Sequence, residues 1–158
     1  AVKAYDSKRC DAYTTDASAL YAERLRTANA DEHIVLPEII SKEPLGPAVR
    51  HGDDQWFDIV KWVHYAMINA EELEINSKNV DQMMGSTNPD IKRLLGTEGN
   101  FGEQFGLGKD WAVNIIKQVG NYGETFDRNV GDGSPLKIAR GLNRLWTKGG
   151  IQYAPPVR

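Results

Sequence analysis

The three segments of this chain that favour β-strands all lie before residue 51. They are residues 10–15 ("CDAYTT"), the β-branched run 33–40 ("HIVLPEII") and residues 46–50, which stand among proline turns. The helical sequence "DASALYAERLRTAN" separates the first two. This order predicts a βαβ unit with a right-handed crossover, but so small a sheet would leave long bare edges that soluble proteins normally pair or cover. We therefore expect an α/β fold that is short of strands and has a helix-rich tail.

Beyond residue 51 the sequence carries the start and stop signals of helices. Residues 55–73, preceded by Asp53 or Asp54 as a cap, carry apolar side chains at the three-and-four spacing of a buried stripe, which predicts a long and largely enclosed helix. Asn at the start and Gly at the end delimit short helices. The helical segments expected after the long helix are 79–84, 88–95, 110–119, 121–130 and 134–148.

Composition excludes several classes of protein. A chain of 158 residues with 41% hydrophobic residues suits one globular domain that buries about two-thirds of its unfolded surface. The net charge of −3 gives no overall attraction to nucleic acid or to anionic membranes, and no apolar run approaches the roughly 18 residues of a membrane span. Cys10 is the single cysteine and is expected to be a small buried hydrophobe.

The chain opens on "AVKAYDSKRC", which has neither an initiator Met nor a helix-starting signal and is typical of the tail of a helix. Together with the shortage of strands, this predicts a processed precursor or the C-terminal portion of a longer chain.

Most residues with possible chemistry have a structural explanation that the sequence favours. The histidines His33, His51 and His64 lack the close spacing of metal ligands, so we expect no metal site. No nucleophile motif, phosphate loop or dinucleotide fingerprint is present, so we expect no cofactor. The four tryptophans all lie in predicted helices and are expected in the core: Trp56, Trp62, Trp111 and Trp146.

Two charged groups leave alternatives open. Glu98 and Glu103 lie in a Gly-rich loop with two phenylalanines. This could be a catalytic loop with paired carboxylates or a surface loop held in place by the two aromatic side chains. The sequence favours the surface loop. The last predicted helix carries a basic stripe that could contact nucleic acid or membrane, although a solvated face is favoured: Lys137, Arg140, Arg144 and Lys148.

Asp16 stands between the first predicted strand and the first predicted helix. Asp before an Ala-rich helix is a common N-cap, and the residues alone favour that role. The alternative is that the Asp16 carboxylate, at the end of a strand, binds a cation.

A resemblance to a known family changes this weighing. "RCDAYTTDASALYAERL", "HIVLPEIISKEPLGPAVRHGDDQWFDIVKW", "STNPDIKRLLGTEGNFGEQFGL", "DWAVNIIKQVGNYGETFDRNVG" and "SPLKIARGLNRLWTKGGIQYAPPVR" cover nearly the whole chain. Together they resemble the C-terminal half of the polar amino-acid-binding proteins of ABC importers, the general L-amino-acid-binding type.

The resemblance implies a portion of a two-lobed periplasmic-binding-protein fold that closes on a free L-amino acid. Residues 1–32 then correspond to the rest of the second lobe, 33–50 to the return across the hinge with a first-lobe strand, and 51–158 to first-lobe helices and an extended tail. Asp16 matches the residue that receives the ligand's α-ammonium group, and Thr15 matches a position near the ligand side chain. The family's arginine for the ligand carboxylate precedes the position matched by Ala1.

The resemblance also implies partners and a location. We expect a periplasmic protein that delivers its ligand to a membrane permease without chemistry, that pairs with a missing N-terminal half or with itself, and that does not bind nucleic acid. Two alternatives remain. One is a dehydratase-like enzyme on the same fold that uses cleft carboxylates, and a second carboxylate near Asp16 would favour it. The other is a structural domain that binds no ligand.

Overall fold

The computed structural model describes residues 1–158 and contains seven α-helices with no extended sheet. The helices are α1 (Val2–Asp6), α2 (Ala17–Arg24), α3 (Asp54–Glu72), α4 (Val80–Met83), α5 (Pro89–Leu94), α6 (Trp111–Val119) and α7 (Tyr122–Asn129). Four short 3-10 helices lie between and after them: Ala30–Glu32, Phe101–Phe105, Gly141–Asn143 and Trp146–Lys148. A single isolated parallel bridge joins Leu145 to Gln152.

The core forms around the C-terminal half of α3. Ala66 and Ala70 of this helix are fully buried and pack with α5, α6 and the chain that follows α3. A smaller cluster on another side of α3 joins Ile68 to Leu145 and Ala154. The core therefore ties the end of the chain back to its longest helix.

Side-chain caps fix where three of these helices begin. The Asp53 carboxylate accepts a hydrogen bond from the Trp56 N–H at the start of α3, and the Asn88 side chain accepts one from the Asp90 N–H beside Pro89. Asn121 and Glu124 form a reciprocal capping box on α7. These starts were predicted correctly, because a cap depends only on residues a few positions apart.

The three predicted strands are not formed within this chain. Residues 10–15 make no backbone hydrogen bond, and residues 34–44 donate none. Residues 46–50 form no ladder either. A strand is stabilised by its neighbours in a sheet, and these segments have none in this structure, so they remain irregular.

The first 65 residues contain no buried side chain. Two other predictions are therefore wrong. Cys10 is exposed rather than buried, because the strand that was expected to cover it does not form. Trp56 at the start of α3 is 52% exposed, because the elements that bury this helix gather around its second half, so the helix is only partly enclosed.

The predicted helix over 134–148 is also wrong. Lys137 and Gly141 have positive φ angles of 53° and 50°, which are incompatible with a continuous right-handed helix. The Ser134 hydroxyl donates to the Gly131 carbonyl and accepts from the Leu136 N–H, so it stabilises a turn instead of capping a helix. Without that helix, Trp146 is half-exposed rather than part of the core.

Candidate functional site

Thr15 and Asp16 lie directly before α2, and both are half-buried. Asp16 has an extended backbone (φ −50°, ψ 139°) and occupies the N-cap position, where its carbonyl accepts the Leu20 N–H at 2.9 Å. The Thr15 hydroxyl makes no hydrogen bond within the chain. Both side chains are therefore available to a ligand on geometric grounds.

The Asp16 carboxylate does not cap α2. No side-chain hydrogen bond reaches the free N–H groups of the first turn, unlike those made by Asp53 and Asn88. The side-chain cap that the residues alone favoured is therefore not formed, and the carboxylate is free for another partner.

Glu43 supplies that partner within the chain. A hydrogen bond to the Asp16 carboxyl raises the pKa of Glu43 above its ordinary value, and desolvation and the charge of Asp16 act in the same direction. The Ser41 hydroxyl, which donates to the Glu43 carboxylate at 3.1 Å, opposes this shift. Two carboxyl groups this close repel each other when both are charged, so a positively charged group between them would stabilise the pair.

Sequence reasoning missed Glu43. It lies 27 positions after Asp16, in an exposed stretch that was interpreted only as turns around a short strand. No periodicity links two residues at that separation, so only the folded chain reveals the contact.

Two grooves in the surface lie apart from Thr15 and Asp16. One shallow groove, of about 450 Å³, lies between Pro47–Val49 and α3, and another, of about 260 Å³, is lined by Arg93 and Arg158 among others. Neither groove includes Thr15 or Asp16.

The histidines are not brought together. His33 hydrogen-bonds with the Tyr5 hydroxyl at 2.7 Å, and His51 is exposed. His64 lies edge-on to Tyr122, where partial burial lowers its pKa. No group of three or more His, Cys, Asp or Glu side chains is arranged to hold a metal ion.

The acidic loop has the structural role that was favoured. Phe101 and Phe105 pack against each other with ring centroids 5.2 Å apart, and Phe101 also packs on Trp62 at 4.6 Å. Glu98 pairs with Lys92 at 2.9 Å, and this contact lowers its pKa. Glu103 is exposed on the 3-10 helix between the phenylalanines.

The basic residues near the chain end do not form a stripe, because the helix that would align them is absent. The Arg140 guanidinium forms two hydrogen bonds of 3.1 Å with the Glu71 carboxylate and lies over the rings of Tyr122 and Phe126. Arg144 and Lys148 remain exposed.

The chain is similar in sequence to three proteins that are named as amino-acid-binding or transport proteins. The chain is 70% identical, over 98% of its length, to the general L-amino acid-binding periplasmic protein AapJ of Rhizobium johnstonii. It is 60% identical to the putative amino-acid ABC transporter-binding protein YhdW of Escherichia coli K12 and 53% identical to the glutamate/glutamine/aspartate/asparagine-binding protein BztA of Rhodobacter capsulatus. It covers 46%, 46% and 44% of those proteins, so it spans about half the length of the curated relatives it matches. No protein-family model matches the chain.

A solved structure has the same fold over this region. It is an ABC transporter periplasmic binding protein from Brucella ovis with glutathione bound, 62% identical, with a TM-score of 0.94 over 99% of this chain and 50% of that one. The helix-rich structure, almost without strands, thus corresponds to part of a periplasmic-binding-protein fold. The resemblance found in the sequence is confirmed, whereas the division at residues 32 and 50 stays a prediction.

Proposed function

We propose that this chain is part of the amino-acid-binding component of an ABC importer and that it captures free L-amino acids in the periplasm for delivery to a membrane permease. The observation that carries the proposal is similarity over nearly the whole chain to proteins whose names state amino-acid binding or transport. The matching fold of a ligand-bound periplasmic binding protein supports it. No helix of the chain has the length and apolarity needed to cross a membrane.

In this proposal, Asp16 receives the α-ammonium group of the ligand. A free amino acid brings one positive and one negative group, and burying either without a partner is prohibitive. A carboxylate satisfies an ammonium through charge-assisted hydrogen bonds, and the Asp16 carboxylate is not used to cap α2. The contact with Glu43 supports the assignment, because a cation at Asp16 relieves the crowding of two carboxyl groups. Thr15 approaches the ligand side chain.

The ligand carboxylate has no assigned partner in this chain. We expect the 158-residue chain alone to bind L-amino acids at least about a thousandfold more weakly than a chain joined to the unmatched half of the Rhizobium relative. The estimate combines one lost charged contact, worth about 2–5 kcal/mol, with the loss of closure. Calorimetry on both chains measures the difference, and submicromolar binding by the short chain would place the site elsewhere.

Replacement of Asp16 by Asn in the joined chain tests the site directly. Binding should weaken by about 2–5 kcal/mol, which corresponds to roughly thirty- to several-thousand-fold, because the amide carries no charge. The free energy of unfolding without ligand should change by less than about 0.5 kcal/mol, since the carboxylate caps nothing. Asp11→Asn, at an exposed position in the same segment, is the matched control and should bind like the parent. Unchanged affinity in Asp16→Asn would remove Asp16 from the site.

The contact between Asp16 and Glu43 also favours a second candidate, an enzyme that uses two carboxyl groups as acid and base. Its weakness is that Glu43 is exposed, whereas such chemistry needs a site that excludes water. The relatives are named as binding proteins, and we propose that this chain performs no chemistry. Recovery of the amino acid unchanged after prolonged incubation with the joined chain distinguishes the two.

A further inference from the structure

The buried side chains of this chain all lie in its second part. The 22 buried residues fall between Ala66 and Val157. The larger hydrophobic cluster joins the second half of α3 to α4, α5, α6 and Val157, and the smaller one joins α3 to the end of the chain. Residues 54–158, called here the α3 unit, therefore contain both clusters completely.

Hydrogen bonds between distant positions hold the α3 unit together. The Asn69 amide donates to the Pro155 carbonyl at 2.8 Å, across 86 positions of the sequence. The Asn121 amide donates to the Ile75 carbonyl at 2.8 Å, across 46 positions, and is buried. Such bonds form only when the helices they join are in place, so we expect the unit to unfold as a whole.

Nothing comparable connects the first part of the chain to the α3 unit. Asp53, the N-cap of α3, is the only residue of 1–53 that forms a hydrogen bond with it. No ion pair joins the two parts. Pro47–Val49 lie alongside α3, with the groove of about 450 Å³ between them.

We propose that the α3 unit folds and unfolds independently of residues 1–53, so that the segment carrying Asp16 can change conformation without disturbing it. Cooperative units form where burial and hydrogen bonds are shared, and a boundary falls where few contacts cross. About 100 residues suffice for a domain with its own core. The inference does not use the role of Asp16, so it can fail without affecting the proposed amino-acid binding.

Hydrogen–deuterium exchange of the 158-residue chain in dilute solution, measured by mass spectrometry, tests the proposal. Amides in α6 and in the second half of α3 should exchange at least about a thousandfold more slowly than in an unfolded peptide. Amides of residues 10–45 should exchange within about tenfold of the unfolded rate, because α2 is short and nothing buries it. Protection in α3 and α6 should be lost at the same urea concentration.

A pair of matched variants tests whether the two parts are coupled. Ile116→Ala, at a fully buried position of α6, should speed exchange in α3 and α6 together by at least about thirtyfold and leave α2 unchanged. If this variant does not fold, Ile116→Val should give the same pattern at about two- to tenfold. Leu20→Ala, at a half-buried position of α2, should change exchange in the α3 unit by less than about twofold.

Three outcomes would overturn the proposal. One is protection of residues 10–45 equal to that of α6. Another is Leu20→Ala speeding exchange in α6 as much as in α2, which would show that the chain unfolds as one body. The third is the absence of protection in α3 and α6 of the parent chain, which would mean that the unit needs more than these residues to fold.

Discussion

The carboxylate of Glu124 joins two parts of the core through several hydrogen bonds. It accepts the Ser77 hydroxyl at 2.6 Å and the backbone N–H groups of Ser77 and Asn121 at 3.0 Å and 2.8 Å. Burial alone would raise the pKa of this carboxyl, but the hydrogen bonds, helped by the charge of Arg128, outweigh it and lower the pKa. One side chain thus holds the start of α7 against the loop that follows α3.

This lowered pKa predicts a defined acid sensitivity. Because the pKa is lower in the folded than in the unfolded chain, the stabilisation is complete above the unfolded value, near 4.5, and is lost as the pH falls through the folded value. Glu124→Gln should cost about 1–2 kcal/mol at pH 7 and should reduce the loss of stability below pH 4.5. Urea unfolding at pH 7 and pH 3.5 measures both effects.

The control for this prediction is Glu103→Gln at an exposed position. It should leave the free energy of unfolding at pH 7 within about 0.5 kcal/mol of the parent. If Glu124→Gln retains the full acid sensitivity of the parent, another carboxyl group is responsible.

Three single residues show what could and could not be predicted from the sequence. Asp16 could be singled out because its position between two kinds of segment is a local signal and because the resemblance to a family covers nearly the whole chain. Its contact with Glu43 depends on how residues 17–42 fold, which no local pattern encodes. The exposed Cys10 was mispredicted for a related reason, since its burial depended on a strand pairing that does not form.

Helices with side-chain caps were predictable, whereas the final segment was not. Asn88, Pro89 and the capping box at Asn121 mark helix starts directly in the sequence. Ser134 and Pro135 are typical of such a start, but the positive φ angle of Lys137 prevents a continuous helix. A non-glycine residue in that region is uncommon, so pattern reasoning favours the helix.

The anchoring of that final segment depends on the ion pair between Arg140 and Glu71. Their side chains are only 19% and 13% exposed, and Arg140 also covers the rings of Tyr122 and Phe126. Arg140→Lys should cost about 2 kcal/mol, because an ammonium cannot form both hydrogen bonds of the planar guanidinium or stack on the rings.

Urea unfolding at pH 7 checks this expectation, with Arg144→Lys as the matched control on the exposed part of the same segment. The control should change stability by less than about 0.5 kcal/mol. Equal small effects in both variants would mean that the ion pair contributes little to holding the chain end on α3.

At the scale of the whole molecule, the burial of side chains divides the chain. All buried residues lie from Ala66 onward, while residues 34–45 expose five large apolar side chains: Ile34, Leu36, Ile39, Ile40 and Leu45. The backbone N–H groups of residues 34–44 are also unpaired. Such a segment is a template for pairing with another strand.

We therefore expect the 158-residue chain to self-associate at high concentration through residues 34–45. Ile34→Lys with Ile39→Lys should shift the association to at least about tenfold higher concentration, because charges on an exposed edge oppose strand pairing. Light scattering over a concentration series, in the presence of reductant, measures the shift.

The control is Val119→Lys, which adds a charge at an apolar position 42% exposed on α6 and should associate like the parent. Joining the unmatched half of the Rhizobium relative should also reduce association if that half covers the same segment. A parent chain that stays monomeric at high concentration would show that residues 34–45 need no partner.

The exposed thiol of Cys10 gives this chain a built-in attachment point for a fluorescent dye. It is the single cysteine, so a maleimide reagent labels one position, and no core side chain has to move to admit it. Asp16 lies six positions further along the chain, which keeps the two Cα atoms within about 22 Å of each other even if the intervening chain is fully extended. Ligand arrival at Asp16 can therefore be followed optically without introducing a second residue change.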